Sequence, residues 1–277
     1  MADTDFPEGD LMKGRRGLVM GVANKNSIAW AIARQLAAQG AEIAFTYQGE
    51  ALKRRVDPLV ESLGYADPLV VECDVTSDAS MDAAFGAVRE RWGEIDFLVH
   101  AIAFAGREQL DGDFVSSTTR DGFASALDIS AYSFVDATRR ASGMMGEGGS
   151  IVTLTYLGSE RVVPNYNVMG VAKAALEACV RYAAADLGPR GIRVNAISAG
   201  PIKTLAAAGI GSGRHMFRFN KAASAMQENT DPAGVAGAAL YFLSDLGASA
   251  TGETHHVDGG FHAIGMPREA PLRESLG

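Results

Sequence analysis

The sequence predicts an α/β fold: a single doubly wound parallel sheet, Rossmann-like, of about seven strands with helices on both faces. Three observations carry that prediction. Seven short apolar runs recur along the 277 residues, stretches with helical spacing lie between them, and the runs are apolar throughout rather than alternating. A strand that is apolar on both sides is covered on both sides, which is the condition of a parallel sheet between two helical layers.

The elements follow in order. Gly17–Val22 is the first strand, and Ser27–Gln39 reads as the helix behind it. Ala41–Thr46 and Pro68–Glu72 are the second and third strands. Asp78–Trp92 is a helix whose Met81, Ala84, Phe85 and Val88 share one face, the spacing of a core-facing stripe. Ile95–Val99 and Ser150–Leu154 are the fourth and fifth strands, and a helix follows over Val171–Leu187. Ile192–Ala196, a helix over Asp231–Leu243 and Glu253–Val257 complete the sheet. No Pro/Ser-rich linker or internal repeat divides the chain, so residues 17–261 read as one domain. Residues 1–16 and 262–277 read as tails. The second contains Pro267, Pro271 and mixed charges, and reads alternatively as an ordered arm in an oligomer.

Composition excludes several classes. The net charge of −8 has the wrong sign for neutralising phosphates, so no nucleic-acid partner is expected. Glycine is enriched, 32 residues, where typical usage is roughly 7%. Cys73 and Cys179 are too few for a disulfide framework and read as free thiols of a reducing compartment. The N-terminal segment is acidic and lacks an apolar core, so it resembles neither a secretory signal nor a basic transit peptide. No apolar run approaches the roughly 18 residues of a membrane span. The expectation is a cytoplasmic protein without a membrane partner.

In a doubly wound sheet, ligands bind beyond the C-terminal ends of the strands. After the first strand stand Gly21, Ala23, Ser27 and Ile28. Gly21 permits a tight turn, Ser27 is a good N-cap, and the helix start offers N–H groups and a positive dipole end to a diphosphate. The second and third glycines of G-x-G-x-x-G are absent, and so is a P-loop. Taken alone, the stretch reads equally as a plain β–α turn. Its place in the fold favours a dinucleotide. Gln48 ends the second strand, where a side chain meets the adenosine ribose, and its neutrality favours NADH over NADPH. Lys53, Arg54 and Arg55 are within reach of a 2′-phosphate but read first as a solvated helix face. Asp74 can accept from the adenine amino group, with Val75 against the ring. Ala101, Ile102 and Ala103 follow the fourth strand and are small enough around the turn for a nicotinamide ribose to lie against the backbone.

Tyr166 and Lys173 are seven residues apart and lead into a helix. Seven residues are about two turns, which places both on one face, roughly 10 Å apart along the axis. A lysine there can hold ribose hydroxyls and lower the pKa of a nearby phenol. The tyrosine can stabilise a substrate oxygen as charge develops on it. The plainer alternative is a buried tyrosine with its hydroxyl satisfied and a surface lysine.

With Tyr156, Tyr166 and Lys173 in place, the sequence resembles the enoyl-acyl carrier protein reductases, divergent members of the short-chain dehydrogenase/reductase superfamily. The similarity spans Gly21-Val-Ala with Ser27-Ile-Ala, Tyr47-Gln48, Cys73-Asp74-Val75, Gln109-Leu-Asp-Gly-Asp113 and Pro164-Asn-Tyr-Asn-Val-Met-Gly170. It continues through Arg193-Val-Asn-Ala-Ile-Ser-Ala-Gly-Pro-Ile202, Thr204-Leu-Ala-Ala and His256-Val-Asp-Gly-Gly-Phe261. The resemblance implies hydride transfer from NADH to C3 of a trans-2-enoyl thioester on acyl carrier protein, in fatty-acid elongation, by a homotetramer. Tyr166 would hold the enolate, Lys173 the cofactor ribose, and Tyr156 would line the acyl site, positioning or relaying a proton. Ile202 would meet the carboxamide, and Thr204 the diphosphate. Met169, Ala206 and Ala207 would border the acyl pocket, with residues 204–222 as a mobile substrate loop. Several positions depart from the family pattern: Ala101 and Ala103 stand where Ser and Gly are frequent, and Gly213 where an aromatic is common. The stretch from Ala225 to Pro232 lacks the usual basic residues.

Two rivals stay open. A ketone-reducing superfamily member would carry Tyr-x-x-x-Lys, but Val162 and Met169 occupy the positions four before Tyr166 and Lys173. A non-catalytic dinucleotide sensor would have no need of Tyr156, Tyr166 and Lys173 together. Independently of any resemblance, residues 187–227 contain no Asp or Glu but six basic residues, Arg190, Arg193, Lys203, Arg214, Arg218 and Lys221. On an acidic chain such a segment steers an acidic partner; Arg214, Arg218 and Lys221 are the candidates to meet the carrier, with solvated loop charge as the alternative. No metal site is expected, because His255 and His256 are strand neighbours that point to opposite faces. His100 and Cys179 read as packing residues.

Overall fold

The structure is a computed structural model that describes residues 6–204 and 213–276, and the side chains of these except at 213–214 and 273–276. At its centre is one seven-stranded sheet in the order β3-β2-β1-β4-β5-β6-β7. The strands are β1 (Arg16–Met20), β2 (Glu42–Tyr47), β3 (Val70–Glu72), β4 (Phe97–His100), β5 (Gly149–Thr155), β6 (Ile192–Ala199) and β7 (Thr254–Val257). All neighbours are parallel; Leu18 of β1 stands opposite Ala44 on one side and Leu98 on the other. The seven predicted runs are these seven strands. The chain winds outward from β1 to β3, returns beside β1 as β4, and winds the other way. That reversal opens a crevice beyond the ends of β1 and β4.

The helices are α1 (Ile28–Ala38), α2 (Gly49–Glu61), α3 (Asp78–Trp92), α4 (Arg120–Leu127), α5 (Ser133–Ser142), α6 (Val168–Leu187), α7 (Gly213–Ala223), α8 (Pro232–Leu243) and α9 (Glu269–Leu276). The apolar strands feed two cores, one on each face of the sheet. Val19 packs with Trp30, Leu36 and Val235 under α1 and α8, while its neighbour Leu18 packs with Phe85, Phe134 and Leu176 under α3, α5 and α6. Helix α3 buries Met81, Ala84, Phe85 and Val88, the four residues of its predicted inner stripe. Phe45, Phe97 and Phe134 are fully buried, and truncating such a side chain to alanine costs about 3–5 kcal/mol.

Both ends of the described chain are fastened. Met12 is fully buried, its N–H donates to Gln39 O at 2.9 Å, and the Arg34 guanidinium lies 4.9 Å from the Phe6 ring centre. At the other end α9 lies against α7. The predicted substrate loop is helical from Gly213 onward; residues 205–212, including Ala206 and Ala207, lie outside the described residues.

Candidate active site

Strand β5 delivers Tyr156 in extended conformation ahead of a helical turn, Leu157–Ser159. Tyr166 sits just before α6 rather than on it, which corrects the two-turn reading of its spacing from Lys173. The residue capping α6 is Asn167, with φ 42° and ψ −123°, and Asn165 has φ 63°. Asparagine is among the few residues other than glycine that tolerate positive φ, so Pro-Asn-Tyr-Asn can turn sharply on both sides of the tyrosine. The turn brings the Tyr166 ring edge-on to Tyr156, with centroids 5.0 Å apart and planes at 73°. Gly158 and Gly170 leave the room: a Cβ on Gly158 would overlap the Tyr166 ring, and one on Gly170 would lie 2.6 Å from Gly158 O.

Lys173 is no surface lysine. It is 6% exposed, and its Nζ donates to Leu154 O at 2.7 Å. Burial lowers its pKa to about 8, opposed by the Glu177 carboxylate. The expectation that its charge depresses a nearby phenol is not met. Burial pushes Tyr166 up, with Tyr156 and Glu177 adding to it, and burial with Asp258 pushes Tyr156 up to about 12. Desolvation dominates at both, so both phenols are protonated at neutral pH and act as O–H donors. The Tyr156 hydroxyl donates to Met216 Sδ on α7 at 3.5 Å.

Tyr166, Met169 and Leu110 form a small apolar cluster with Ala105, Tyr156 and Val163 packed against it. Met169 is 6% exposed within this cluster. Nothing in the sequence marks Leu110 as part of it. Asn167 holds it there, donating from Nδ2 to Gln109 O at 3.3 Å and to Gly112 O at 3.1 Å. Ala103 is exposed next to Phe104, whose N–H donates to Ser130 Oγ at 3.0 Å, from a π-helical stretch joining α4 to α5.

The predicted dinucleotide contacts all stand on one edge of the sheet, because the strands are parallel. Gly21 follows β1, Gln48 β2, Asp74 and Val75 β3, Ala101 and Ile102 β4, and Ile202 and Thr204 β6. Gly21 has φ 100°, and a Cβ there would overlap Ala101 O, so a side chain is excluded twice over. Ser27 occupies the N-cap position of α1 but does not cap it, contrary to expectation. Its Oγ accepts instead from the N–H groups of Ala23 and Asn24, both at 3.0 Å. The hydroxyl shapes the loop and leaves the first turn of α1, starting at Ile28, without a side-chain cap, which suits a diphosphate. The side chain of Gln48 hydrogen-bonds Asp74, whose carboxyl is held low first by the Thr76 N–H and hydroxyl and then by Gln48. Ile202 is buried, and its carbonyl accepts from Thr204 N–H at 2.8 Å. An uncapped helix start beside a glycine that cannot carry a Cβ, with two polar side chains paired at the adenosine end, fits a dinucleotide.

His100 lies fully buried between Thr153 Oγ1 at 3.1 Å and Ser133 Oγ at 2.8 Å, and burial lowers its pKa to about 3. It is a neutral packing residue. His255 meets the Phe242 ring edge-on while His256 pairs with Glu160 at 2.9 Å, so the two point apart. Of the six basic residues in 187–227, Arg190 and Arg193 are spent on backbone carbonyls. Lys203, Arg218 and Lys221 line a cavity of about 390 Å³ with Phe217 and Asn229. The Arg214 side chain lies outside the described residues.

The sequence model of the family described as Enoyl-(Acyl carrier protein) reductase matches residues 21–262. The enoyl-[acyl-carrier-protein] reductase [NADH] 1 of Rhizobium meliloti is 57% identical, over 92% of this chain and 93% of that protein. An enoyl-(acyl-carrier-protein) reductase from Anaplasma phagocytophilum, solved in complex with NAD, superposes with a TM-score of 0.89 at 49% identity, over 95% of this chain and 98% of that one. The Bacillus cereus enoyl-acyl carrier protein reductase, solved with NADP+ and indole naphthyridinone, gives 0.90 at 50% identity, over 93% and 100%. The chain therefore belongs to the enoyl-(acyl carrier protein) reductase family.

Proposed function

We propose that this chain reduces the C2–C3 double bond of trans-2-enoyl thioesters on acyl carrier protein, with NADH, in fatty-acid elongation. The observation that carries the reading is the edge-on pair Tyr156 and Tyr166, both neutral donors, with the buried Lys173 held on Leu154 O, two residues before Tyr156. Bound NADH supplies a hydride to C3 of the substrate. Tyr166 donates its O–H to the thioester oxygen and holds the enolate as charge gathers there; a proton then reaches C2. Tyr156, fixed at the mouth of the turn, positions the thioester or relays that proton. Lys173 holds the nicotinamide ribose.

Gly21, Ala23, Ser27, Ile28 and Thr204 would hold the diphosphate, Gln48 the adenosine ribose, and Asp74 and Val75 the adenine. Ala101 and Ile102 would back the nicotinamide ribose, and Ile202 would meet the carboxamide. Leu110 and Met169, with Ala103, Ala206 and Ala207, would border the acyl chain. A neutral Gln48 supports NADH, while the exposed Arg54 and Arg55 make NADPH the comparison cofactor. The cavity of Lys203, Arg218 and Lys221 supports a phosphate-bearing acidic carrier. We also read the enzyme as a cytoplasmic homotetramer, by its family resemblance; among the described residues no helix is long and apolar enough to cross a membrane.

The test follows nicotinamide absorbance with a trans-2-enoyl and a 3-ketoacyl thioester, each with NADH and with NADPH. Oxidation of NADH on the enoyl substrate alone is expected. Turnover on the ketoacyl substrate alone would assign the chain to ketone reduction, and cofactor binding without turnover would make it a sensor.

A further inference from the structure

The mechanism above leaves a buried carboxylate of α6 unused. Glu177 is 7% exposed and sits one helical turn beyond Lys173 on the inner face of α6. A buried carboxylate is costly unless it is partnered, so its partners indicate what it does. Its Oε1 accepts from Thr155 Oγ1 at 2.6 Å and from Ser159 Oγ at 2.5 Å. Lys173 Nζ donates to Leu154 O, one residue earlier. Two neighbouring side chains of α6 therefore grip residues 154, 155 and 159, and Tyr156 lies inside that grip.

The same carboxylate faces Lys173. The titratable groups electrostatically linked to that lysine are Glu177 from its own helix and His100 from β4, which is neutral. Glu177 favours the ammonium against burial.

We propose that Glu177 is a positioning residue of this reaction: its carboxylate fixes the turn that carries Tyr156 and supplies the counter-charge that keeps Lys173 an ammonium for the cofactor. The inference rests on the assignment of Lys173 to NADH. A spacing of four residues between a lysine and a glutamate on a helix ordinarily marks an exposed, weakly coupled pair. Here both members are buried and each also binds the β5 end, so the pair is part of the site's frame.

The test titrates NADH against the wild type and Glu177→Gln across neutral to alkaline pH, following nicotinamide fluorescence, with kcat measured on a small trans-2-enoyl thioester. In the wild type, affinity falls as pH rises through about 8. In Glu177→Gln the shape and one acceptor remain but the charge is gone, and the alkaline limb moves toward acid by about one pH unit or more, a loss of affinity of about fivefold or more at the old midpoint. Glu177→Asp keeps the charge and the limb, but loses kcat several-fold because the shorter side chain cannot reach both hydroxyls. The double variant Thr155→Val, Ser159→Ala keeps the limb and the NADH affinity and loses kcat several-fold. It tests the grip on Tyr156 even if Glu177→Gln does not fold. An unmoved limb in Glu177→Gln, or wild-type kcat in the double variant, overturns the proposal. A wild-type affinity that stays flat through the alkaline range overturns the assignment of Lys173 itself, and the counter-charge with it, which keeps the two failures apart.

Discussion

Tyr156 and Tyr166 meet edge to face, ring centroids 5.0 Å apart, although one leaves the end of β5 and the other the turn before α6. Neither ring depends on the other's hydroxyl for its place, so the two hydroxyls can be removed separately. Tyr166→Phe is expected to lower kcat by about 10²–10³, the cost of one donor to a developing oxyanion, with NADH affinity unchanged. Tyr156→Phe is expected to cost only about tenfold, as for one positioning or relay group. Steady-state rates on an enoyl thioester decide the order; a larger loss at Tyr156 would exchange the two roles.

Close packing under Tyr166 gives a second prediction. Gly158→Ala places a Cβ into the Tyr166 ring, whereas Gly21→Ala places one into Ala101 O at a positive φ. The first displaces the tyrosine and should lower kcat at least tenfold with NADH affinity intact. The second separates the ends of β1 and β4 and should weaken NADH binding and lower stability by about 1–3 kcal/mol. Isothermal titration with NADH and a thermal melt for each variant separate the two. Equal NADH affinities in both would show that the Gly21 turn does not border the cofactor.

The fold is legible wherever burial is apolar. Leu18 and Val19 supply opposite cores from adjacent positions, and the inner stripe of α3 is readable from spacing alone. Helix α5 is not, because its inward side includes Ser133, Asp136, Thr138 and Ser142, with Asp136 paired to Arg139 and Arg140. A core face built from polar groups erases the pattern that marks a helix. In the site, strand-end residues are legible because topology puts them at one edge. Tyr166 stands before α6 rather than on it because nothing in a residue spacing reports the positive φ of Asn165 and Asn167. Ser27 follows the N-cap rule in identity and position, yet its hydroxyl turns to the loop. Glu177 is hidden for a similar reason: its spacing from Lys173 looks like that of a surface pair.

The basic cavity gives a prediction about substrate form. Lys203, Arg218 and Lys221 converge on one hollow in a chain of net charge −8. Arg218→Glu with Lys221→Glu should raise KM for carrier-bound enoyl substrate about tenfold or more at low salt, less at high salt. KM for a short thioester without a phosphate should not move. The contrast between the two substrates is the readout; equal effects on both would remove the carrier from this face.

Lys173 also links stability to pH, with a sign opposite to that of a salt-bridged lysine. Its pKa in the folded protein is about 8, against an ordinary value of 10.5, because burial disfavours the charge. Between those values the unfolded chain binds more protons than the native one, so unfolding free energy from this group rises with pH. At pH 7 the full cost, about 3 kcal/mol, is present; above the ordinary lysine range it is gone. Lys173→Met removes the titration without removing the side chain's bulk. Denaturant unfolding of both proteins at matched concentration should therefore show the wild type gaining about 3 kcal/mol relative to Lys173→Met across that window. Carboxyl groups ordinarily titrate far below this alkaline window, which leaves the slope to Lys173. A difference independent of pH would mean that Lys173 reaches solvent in the folded protein.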